Sequence, residues 1–190
     1  MDEFKEPDWH NSKQKAPAKY LIFVDFDGVL TSNRVHFSQP EDAYKMWSRF
    51  DPIAIEFFNH IHNNYDGVEF VWTTTWRNHV PLNAGHIEHI LYSMWYNAGF
   101  RGYFATPWKV NPTDRMDGEI NHASRAEEIK DYLENYADCK DYLIFDDSDY
   151  GFNKVLGIKR FIKTHPDDGL LFKHMLNAKS IMGTWDKKNG

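Results

Sequence analysis

Runs of apolar residues recur along the chain and predict its strands. The clearest are Tyr20–Val24, Val68–Thr73 and Tyr142–Phe145, which are rich in β-branched and aromatic residues. The first of these runs has no apolar-polar alternation, so we expect it to be buried on both faces, as in a parallel sheet. Shorter runs at Tyr103–Ala105 and Lys159–Thr164 predict two more strands.

Helix signals lie between these runs. Asp51 followed by Pro52 is an N-cap with proline at the first helical position. Ser124 and Glu127 have the spacing of a capping box, with serine at the N-cap and glutamate three residues later. The predicted helices span residues 52–64, 86–97, 125–136 and 169–178.

Strands that alternate with helices at this spacing predict an α/β fold. We expect a Rossmann-like three-layer sandwich around a mainly parallel five-stranded sheet. The length of 190 residues suits one domain, predicted over residues 19–182. A polar N-terminal tail over 1–18, expected to be flexible, and a C-terminal tail over 183–190 flank it. Residues 106–123 have little periodicity and predict a surface loop or small insertion.

The composition and charge of the chain argue against some classes of function. The 28 acidic residues outnumber 22 lysines and arginines, and the net charge of −6 argues against binding along a nucleic-acid backbone. The single cysteine, Cys139, excludes an intramolecular disulfide and fits a reducing, cytoplasmic compartment. No apolar run approaches the roughly 18 residues that span a bilayer, so we expect no membrane association.

Polar side chains follow three of the predicted strands. Asp25 and Asp27 follow the first, Asp146 and Asp147 follow the fourth, and the hydroxyls of residues 73–75 end the second. Any one of these carboxylates could simply cap a turn. Because ligands bind beyond the carboxyl ends of parallel strands, we expect the polar groups to converge there. A divalent cation such as Mg²⁺ binds carboxylate oxygens and offsets their repulsion, so the pattern predicts a metal-assisted phosphate site.

The same segments resemble the four motifs of the haloacid dehalogenase (HAD) superfamily, in order. The matching residues are Asp25-Phe26-Asp27-Gly28-Val29-Leu30, Val71-Trp72-Thr73-Thr74, Arg125 and Asp146-Asp147. Further residues resemble the HAD-domain group linked to Swiss army knife RNA repair proteins. They are Trp72-Thr73-Thr74-Thr75-Trp76-Arg77, Arg125-Ala126-Glu127-Glu128-Ile129, Ile144-Phe145-Asp146-Asp147-Ser148-Asp149, and Thr164 with Gly169-Leu170.

The resemblance implies a role for each matching residue. Asp25 is the expected nucleophile and a Mg²⁺ ligand. Asp27 is the expected general acid and then general base, and its backbone carbonyl a further ligand. Asp146 is expected to bind the metal, and Asp147 either to share it through water or to orient Arg125. The Arg125 guanidinium is expected to stabilise the phosphoryl charge.

Other assignments stay open between close candidates. Thr74 is the preferred hydroxyl donor to the phosphoryl group, with Thr73 and Thr75 as competitors. Trp76 and Arg77 are expected to contact a base and a phosphate of the substrate, and the alternative for Trp76 is packing beneath the following loop.

The basic residue and the outermost acid also have alternatives. Lysine is commoner than arginine in the third motif, so Lys130 and Lys109 compete with Arg125. Asp149 is either a supporting acid of the site or a turn residue.

The resemblance implies an open site with a minimal cap or none. About 23 residues separate Gly28 from Pro52, too few for a cap domain, and only the loop over 106–123 could act as a lid. We expect a Mg²⁺-dependent phosphomonoesterase acting on a phosphorylated substrate, a nucleotide or a nucleic-acid terminal phosphate. The alternatives are a small-metabolite phosphatase, and a non-catalytic HAD domain that binds phosphate groups or a partner protein.

Overall fold

The computed structural model describes residues 18–38, 50–75, 95–110 and 124–188. Some predicted features lie outside these ranges. They are nearly all of the N-terminal tail, most of the helix over 86–97, most of the loop over 106–123, and Trp76 and Arg77.

Five parallel strands form one sheet in the described residues. They are β1 Tyr20–Val24, β2 Val68–Trp72, β3 Phe104–Lys109, β4 Asp141–Asp146 and β5 Phe161–Lys163. Their spatial order is β3-β2-β1-β4-β5. At the end of the central strand, Val24 lies opposite Trp72 of β2 and Phe145 of β4. The predicted α/β fold with a parallel five-stranded sheet is therefore confirmed.

The two predicted N-caps begin helices. The Asp51 carboxylate accepts a hydrogen bond from the Ile53 N–H at 2.9 Å, and the Glu127 carboxylate accepts one from the Ser124 N–H at 2.9 Å. No helix of the described residues is long and apolar enough to cross a membrane. The helices are Asn33–Ser38, Pro52–Asn64, Arg125–Asn135, Phe152–Val155 and Phe172–Ile181.

Successive side chains of the strands pack on opposite faces of the sheet. Ile22 and Val24 join an apolar cluster with the Pro52–Asn64 helix. Leu21 and Phe23 join a second cluster with the Arg125–Asn135 helix. Helices therefore cover both faces, which explains why β1 is buried at all five positions.

The predicted loop over 106–123 is wrong at its start, because residues 106–109 belong to β3. Pro107 breaks the strand pattern in the sequence, but β3 is an edge strand, where a missing N–H is tolerated. The pairing with β2 also shifts register between Phe70 and Trp72. With this irregularity, the sequence of β3 lacks the regular alternation of apolar and polar residues by which a strand is predicted.

Other boundaries also differ from the prediction. The fifth strand covers only Phe161–Lys163, because a 3₁₀ turn occupies residues 158–160. The last helix spans Phe172–Ile181 rather than 169–178. Gly169 has a φ of +67°, a left-handed conformation that no right-handed helix contains. The short helices Asn33–Ser38 and Phe152–Val155 were not predicted.

Residues 183–188, predicted as part of a C-terminal tail, contact the domain. The Trp185 ring stacks on Tyr20 with 4.4 Å between ring centroids. The Asp66 N–H donates to the Asp186 carbonyl at 2.9 Å. These contacts join the end of the chain to the amino end of the sheet.

Candidate active site

Four strand ends meet in register at the carboxyl edge of the sheet. The Thr73 N–H donates to the Val24 carbonyl at 3.0 Å, and the Asp25 N–H donates to the Phe145 carbonyl at 3.0 Å. The Thr164 N–H donates to the carbonyl of Asp146 at 2.9 Å. Thr73, Asp25, Asp146 and Thr164 therefore form a continuous row, as expected for the ends of parallel strands.

Asp25 and Asp146 are buried in this row, with 4% and 0% of their surface exposed. One oxygen of each is held by the backbone: Asp25 Oδ1 accepts from the Phe26 N–H at 2.8 Å, and Asp146 Oδ1 accepts from the Ser148 N–H at 2.9 Å. These bonds fix the direction of each carboxylate and leave Oδ2 for other contacts.

Arg125 bridges the two carboxylates. Its Nη1 donates to Asp25 Oδ2 at 2.6 Å and to Asp146 Oδ2 at 2.5 Å. Ser124 places Arg125 at the first helical position, where the side chain is buried beside the sheet edge. The competing Lys130 is exposed and lies 3.7 Å from Glu134 on its own helix. The structure therefore brings Arg125 into the site and leaves Lys130 outside it.

The pKa values of these three side chains are shifted strongly from their ordinary values. Burial, with a smaller contribution from Asp25, raises the pKa of Asp146 to about 7 despite the attraction of Arg125. Burial also raises the pKa of Asp25. For Arg125, burial disfavours the charged form, but the two aspartates outweigh it and raise its pKa. One guanidinium does not fully offset the cost of burying these carboxylates.

Asp147 adds a third carboxylate to the group. Oxygens of Asp25, Asp146 and Asp147 lie within 4.8 Å of one another. Among the described residues, the three carboxylates outnumber the one guanidinium that contacts them, and oxygen atoms are the ligands that Mg²⁺ and Ca²⁺ take. The donor set therefore fits a hard divalent cation.

Gly28 allows Asp147 to approach. Gly28 has a φ of +70°, and a Cβ built on it would lie 2.5 Å from the Cβ of Asp147 and 2.6 Å from its Oδ2. Any side chain at this position would displace Asp147. The position of the Asp147 carboxylate therefore depends on a glycine in the turn after Asp27.

Asp27 is not part of the three-carboxylate group, although its charge contributes to the raised pKa of Asp25. Its side chain is exposed, and its Oδ1 accepts a hydrogen bond from Thr31 Oγ1 at 3.2 Å. It also lines a cavity of about 230 Å³. An exposed carboxyl beside a cavity can exchange protons with a bound molecule and with water.

The remaining predicted residues divide by burial. Thr73 and Thr74 are buried beyond β2, whereas Thr75 is exposed. Asp149 accepts hydrogen bonds from the Gly151 N–H at 3.1 Å and from Asn153 Nδ2 at 2.7 Å. These bonds favour the turn role for Asp149. The choice of Thr74 as phosphoryl donor stays a prediction.

Tyr150 is a site residue that was not predicted. The Arg125 guanidinium carbon lies 4.5 Å from the centroid of the Tyr150 ring, a distance at which cation and ring attract. Tyr150 is 40% exposed, so it covers the guanidinium on a side that solvent reaches. An aromatic residue inside the polar turn after Asp146-Asp147 was the available sequence signal.

A comparison with protein families agrees with the fold. The family model described as the HAD domain in Swiss Army Knife RNA repair proteins matches residues 21–175. The chain therefore belongs to this HAD-domain family, which confirms the predicted resemblance and supports a HAD-type hydrolase. No curated protein and no solved structure matches the chain.

Proposed function

We propose that the protein is a Mg²⁺-dependent phosphomonoesterase that forms an aspartyl-phosphate intermediate. The observation that carries this proposal is the group of Asp25, Asp146 and Asp147, of which the first two are buried and bridged by Arg125. A nucleophile, a phosphoryl-binding cation and a set of metal ligands then share one edge of the sheet. The intact set argues against a non-catalytic HAD domain.

In the first step, an Asp25 oxygen attacks phosphorus, and the bond from phosphorus to the leaving oxygen breaks. Asp27 donates its proton to that oxygen, so the leaving group departs as a neutral alcohol. Arg125 and Thr74 stabilise the charge on the phosphoryl oxygens. The backbone bond from Phe26 to Asp25 Oδ1 keeps the nucleophile oriented.

In the second step, Asp27 removes a proton from water, and the water oxygen attacks phosphorus. The acyl-phosphate bond breaks, which releases phosphate and regenerates the Asp25 carboxylate. The exposure of Asp27 supports this second role because water reaches its carboxylate.

The expected ligands of Mg²⁺ are Asp25, Asp146 and Asp147, with the backbone carbonyl of Asp27. When bound, the cation offsets repulsion between the nucleophile and the phosphate and orients the ester for attack. The excess negative charge of the three carboxylates supports this assignment.

We further propose a nucleotide or a nucleic-acid terminal phosphate as substrate, within a cytoplasmic protein. The family description, which names RNA repair proteins, supports this choice. The net charge of −6 favours contact with a terminal phosphate over tracking of a long backbone. The cavity beside Asp27 keeps a small-metabolite phosphatase as the second candidate.

The test is phosphate release with and without Mg²⁺ from an aryl phosphate, mononucleotides, and 3′- and 5′-phosphorylated oligonucleotides. Asp25→Asn is the control. We expect turnover that requires both Mg²⁺ and Asp25. A preference for oligonucleotides over mononucleotides supports the nucleic-acid substrate, whereas no turnover, or equal turnover by Asp25→Asn, contradicts the proposal.

A further inference from the structure

A cavity of about 230 Å³ lies beside Asp27. We name it the Asp27 cavity. Small-molecule pockets generally measure about 300–1,000 Å³, so this one suits a group of about the size of one sugar. Its walls are Asp27, Gly28, Thr31, Ser32, Asn33, His36 and Pro166.

Hydrogen bonds join the opposite walls of the Asp27 cavity. The Asn33 N–H donates to the Pro166 carbonyl at 3.0 Å, and the Arg34 N–H donates to the Asp167 carbonyl at 2.9 Å. Asn33 Nδ2 also donates to Asp167 Oδ1 at 2.6 Å. These bonds connect segments more than 130 residues apart in the chain, so the cavity is formed before any ligand binds.

The described walls of the Asp27 cavity carry no permanent cation. Among the residues that the structure describes, hydroxyls, an amide, the His36 imidazole and the Asp27 carboxyl line it, and no lysine or arginine does. The neighbouring Arg34 is already paired with Asp51 at 2.5 Å. An anionic group placed against these residues would lose water without gaining a counter-charge from them, which is costly, whereas a neutral hydroxylated group would find donors and acceptors.

We infer that the Asp27 cavity binds the leaving group of the phosphoester and selects an uncharged, hydroxylated one such as a ribose. This inference rests on the proposed phosphatase. Asp27 lines the cavity, so an alcohol held there would lie beside its expected proton donor. His36 is exposed on the wall and is the residue we assign to contact the leaving group.

The test compares kcat/KM for esters that share the phosphate but differ in the leaving group. Ribose 5-phosphate and glycerol phosphate have neutral, hydroxylated leaving groups. The leaving group of phosphoglycerate has a carboxylate on a skeleton similar to glycerol. The leaving group of phenyl phosphate has neither further hydroxyls nor charge. We expect phosphoglycerate to be at least about tenfold poorer than glycerol phosphate, because its carboxylate stays unpaired.

Variants at adjacent positions then test the wall itself. In His36→Ala, we expect KM for ribose 5-phosphate to rise about 3- to 10-fold, as for a lost hydrogen bond, with a smaller change for phenyl phosphate. His36→Lys should improve phosphoglycerate relative to glycerol phosphate, because it adds the missing cation. Phe37→Ala is the matched control, since Phe37 is 82% exposed and does not line the cavity.

The possible failures are distinguishable. If neither these esters nor the mononucleotides and phosphorylated oligonucleotides of the activity test are turned over, the phosphatase is wrong and this inference is wrong with it. If esters are turned over without a charge preference, or if His36→Ala affects ribose 5-phosphate and phenyl phosphate equally, only the assignment of the Asp27 cavity is overturned.

Discussion

The two ends of the sheet hold charge in opposite ways. At the amino end, Lys19 lies 2.5 Å from Asp66 and Lys140 lies 2.9 Å from Asp186, and all four side chains are exposed. At the carboxyl end, Asp25, Asp146 and Arg125 are buried, and Asp147 adds a third carboxylate. The amino end pairs exposed opposite charges, whereas the carboxyl end collects buried negative charge.

The difference separates a solvated surface from a chemical site. Exposed ion pairs contribute little to stability because water and salt screen them. Buried like charges cost free energy unless a bound cation compensates them. Carboxylates with strongly shifted pKa values cluster at functional sites, so the carboxyl end is the end to which we assign chemistry.

The largest expected effect comes from the same substitution made at each end. Asp25→Asn removes the nucleophilic carboxylate, and we expect kcat for phosphate release to fall by at least about 1,000-fold. Asp66→Asn makes the identical chemical change at the amino end and should leave kcat near the wild-type value. Comparable losses in both variants would show that the two ends do not differ as described.

A glycine pair tests the approach of Asp147. Gly28→Ala places a Cβ 2.5 Å from Asp147, whereas Gly157→Ala meets nothing within 4 Å, although both glycines have positive φ. Both variants bear the cost of a left-handed alanine. We expect only Gly28→Ala to lose activity, by roughly 100-fold, and to need more Mg²⁺ for half-maximal rate. Equal kinetics in the two variants would contradict a role for this contact.

The carboxyl end should also make stability depend on pH and on metal. The folded-state pKa of Asp146 is about 7, above its ordinary value of 3.8. Between these values the folded state binds more protons than the unfolded chain, so the stability of the metal-free protein falls as pH rises. Between pH 5.5 and pH 8 the loss should be on the order of 2 kcal/mol.

Denaturant unfolding in EDTA at pH 5.5 and pH 8, repeated with Mg²⁺, measures this effect. We expect Mg²⁺ to stabilise more at pH 8, where Asp146 is charged. Asp146→Asn is the control and should show a flatter pH dependence without metal. A Mg²⁺ effect of the same size at both pH values would contradict the excess negative charge that we assign to the carboxyl end of the sheet.

A smaller effect is expected from the ring above Arg125. Tyr150→Leu removes the aromatic face that lies 4.5 Å from the guanidinium carbon. Tyr150 acts as a positioning residue, so we expect a loss of about 3- to 5-fold in kcat/KM for an aryl phosphate. Tyr150→Phe keeps the ring and should restore the rate. Equal losses in Phe and Leu variants would assign the effect to the hydroxyl instead.

The smallest effect is expected at the amino end. Lys140→Gln breaks an exposed pair with Asp186, and we expect no change in kcat/KM or melting temperature at either low or high salt. Added salt alone should likewise leave the melting temperature little changed through these pairs. A marked destabilisation would show that the amino end depends on its charges as well.

Much of the fold and site could be predicted because the candidate site residues come directly after unbroken runs of apolar residues. The residues of β1 and β4 are buried by helices on both faces, so their sequences are almost wholly apolar up to the aspartates. The position of Asp25 and Asp146 is then set by where each strand ends. The position of Arg125 could be predicted in the same way, because Ser124 sets the start of its helix.

Other features could not be predicted, for physical reasons. Pro107 and the shifted register conceal β3. The helices Asn33–Ser38 and Phe152–Val155 are six and four residues long, too short for helical periodicity to develop. The contact of Tyr150 with Arg125 joins a turn to the first residue of a helix 25 residues earlier in the chain. The aromatic residue in a polar turn marks the position, but no local pattern identifies its partner.

The irregular edge strand has a consequence for association between chains. A regular edge strand offers a row of N–H and C=O groups to which another chain can add. Pro107 removes one donor from β3, its register with β2 is broken, and β5 at the other edge has only three residues. Neither edge of the described sheet presents a long template, which disfavours growth of the sheet by intermolecular strand addition.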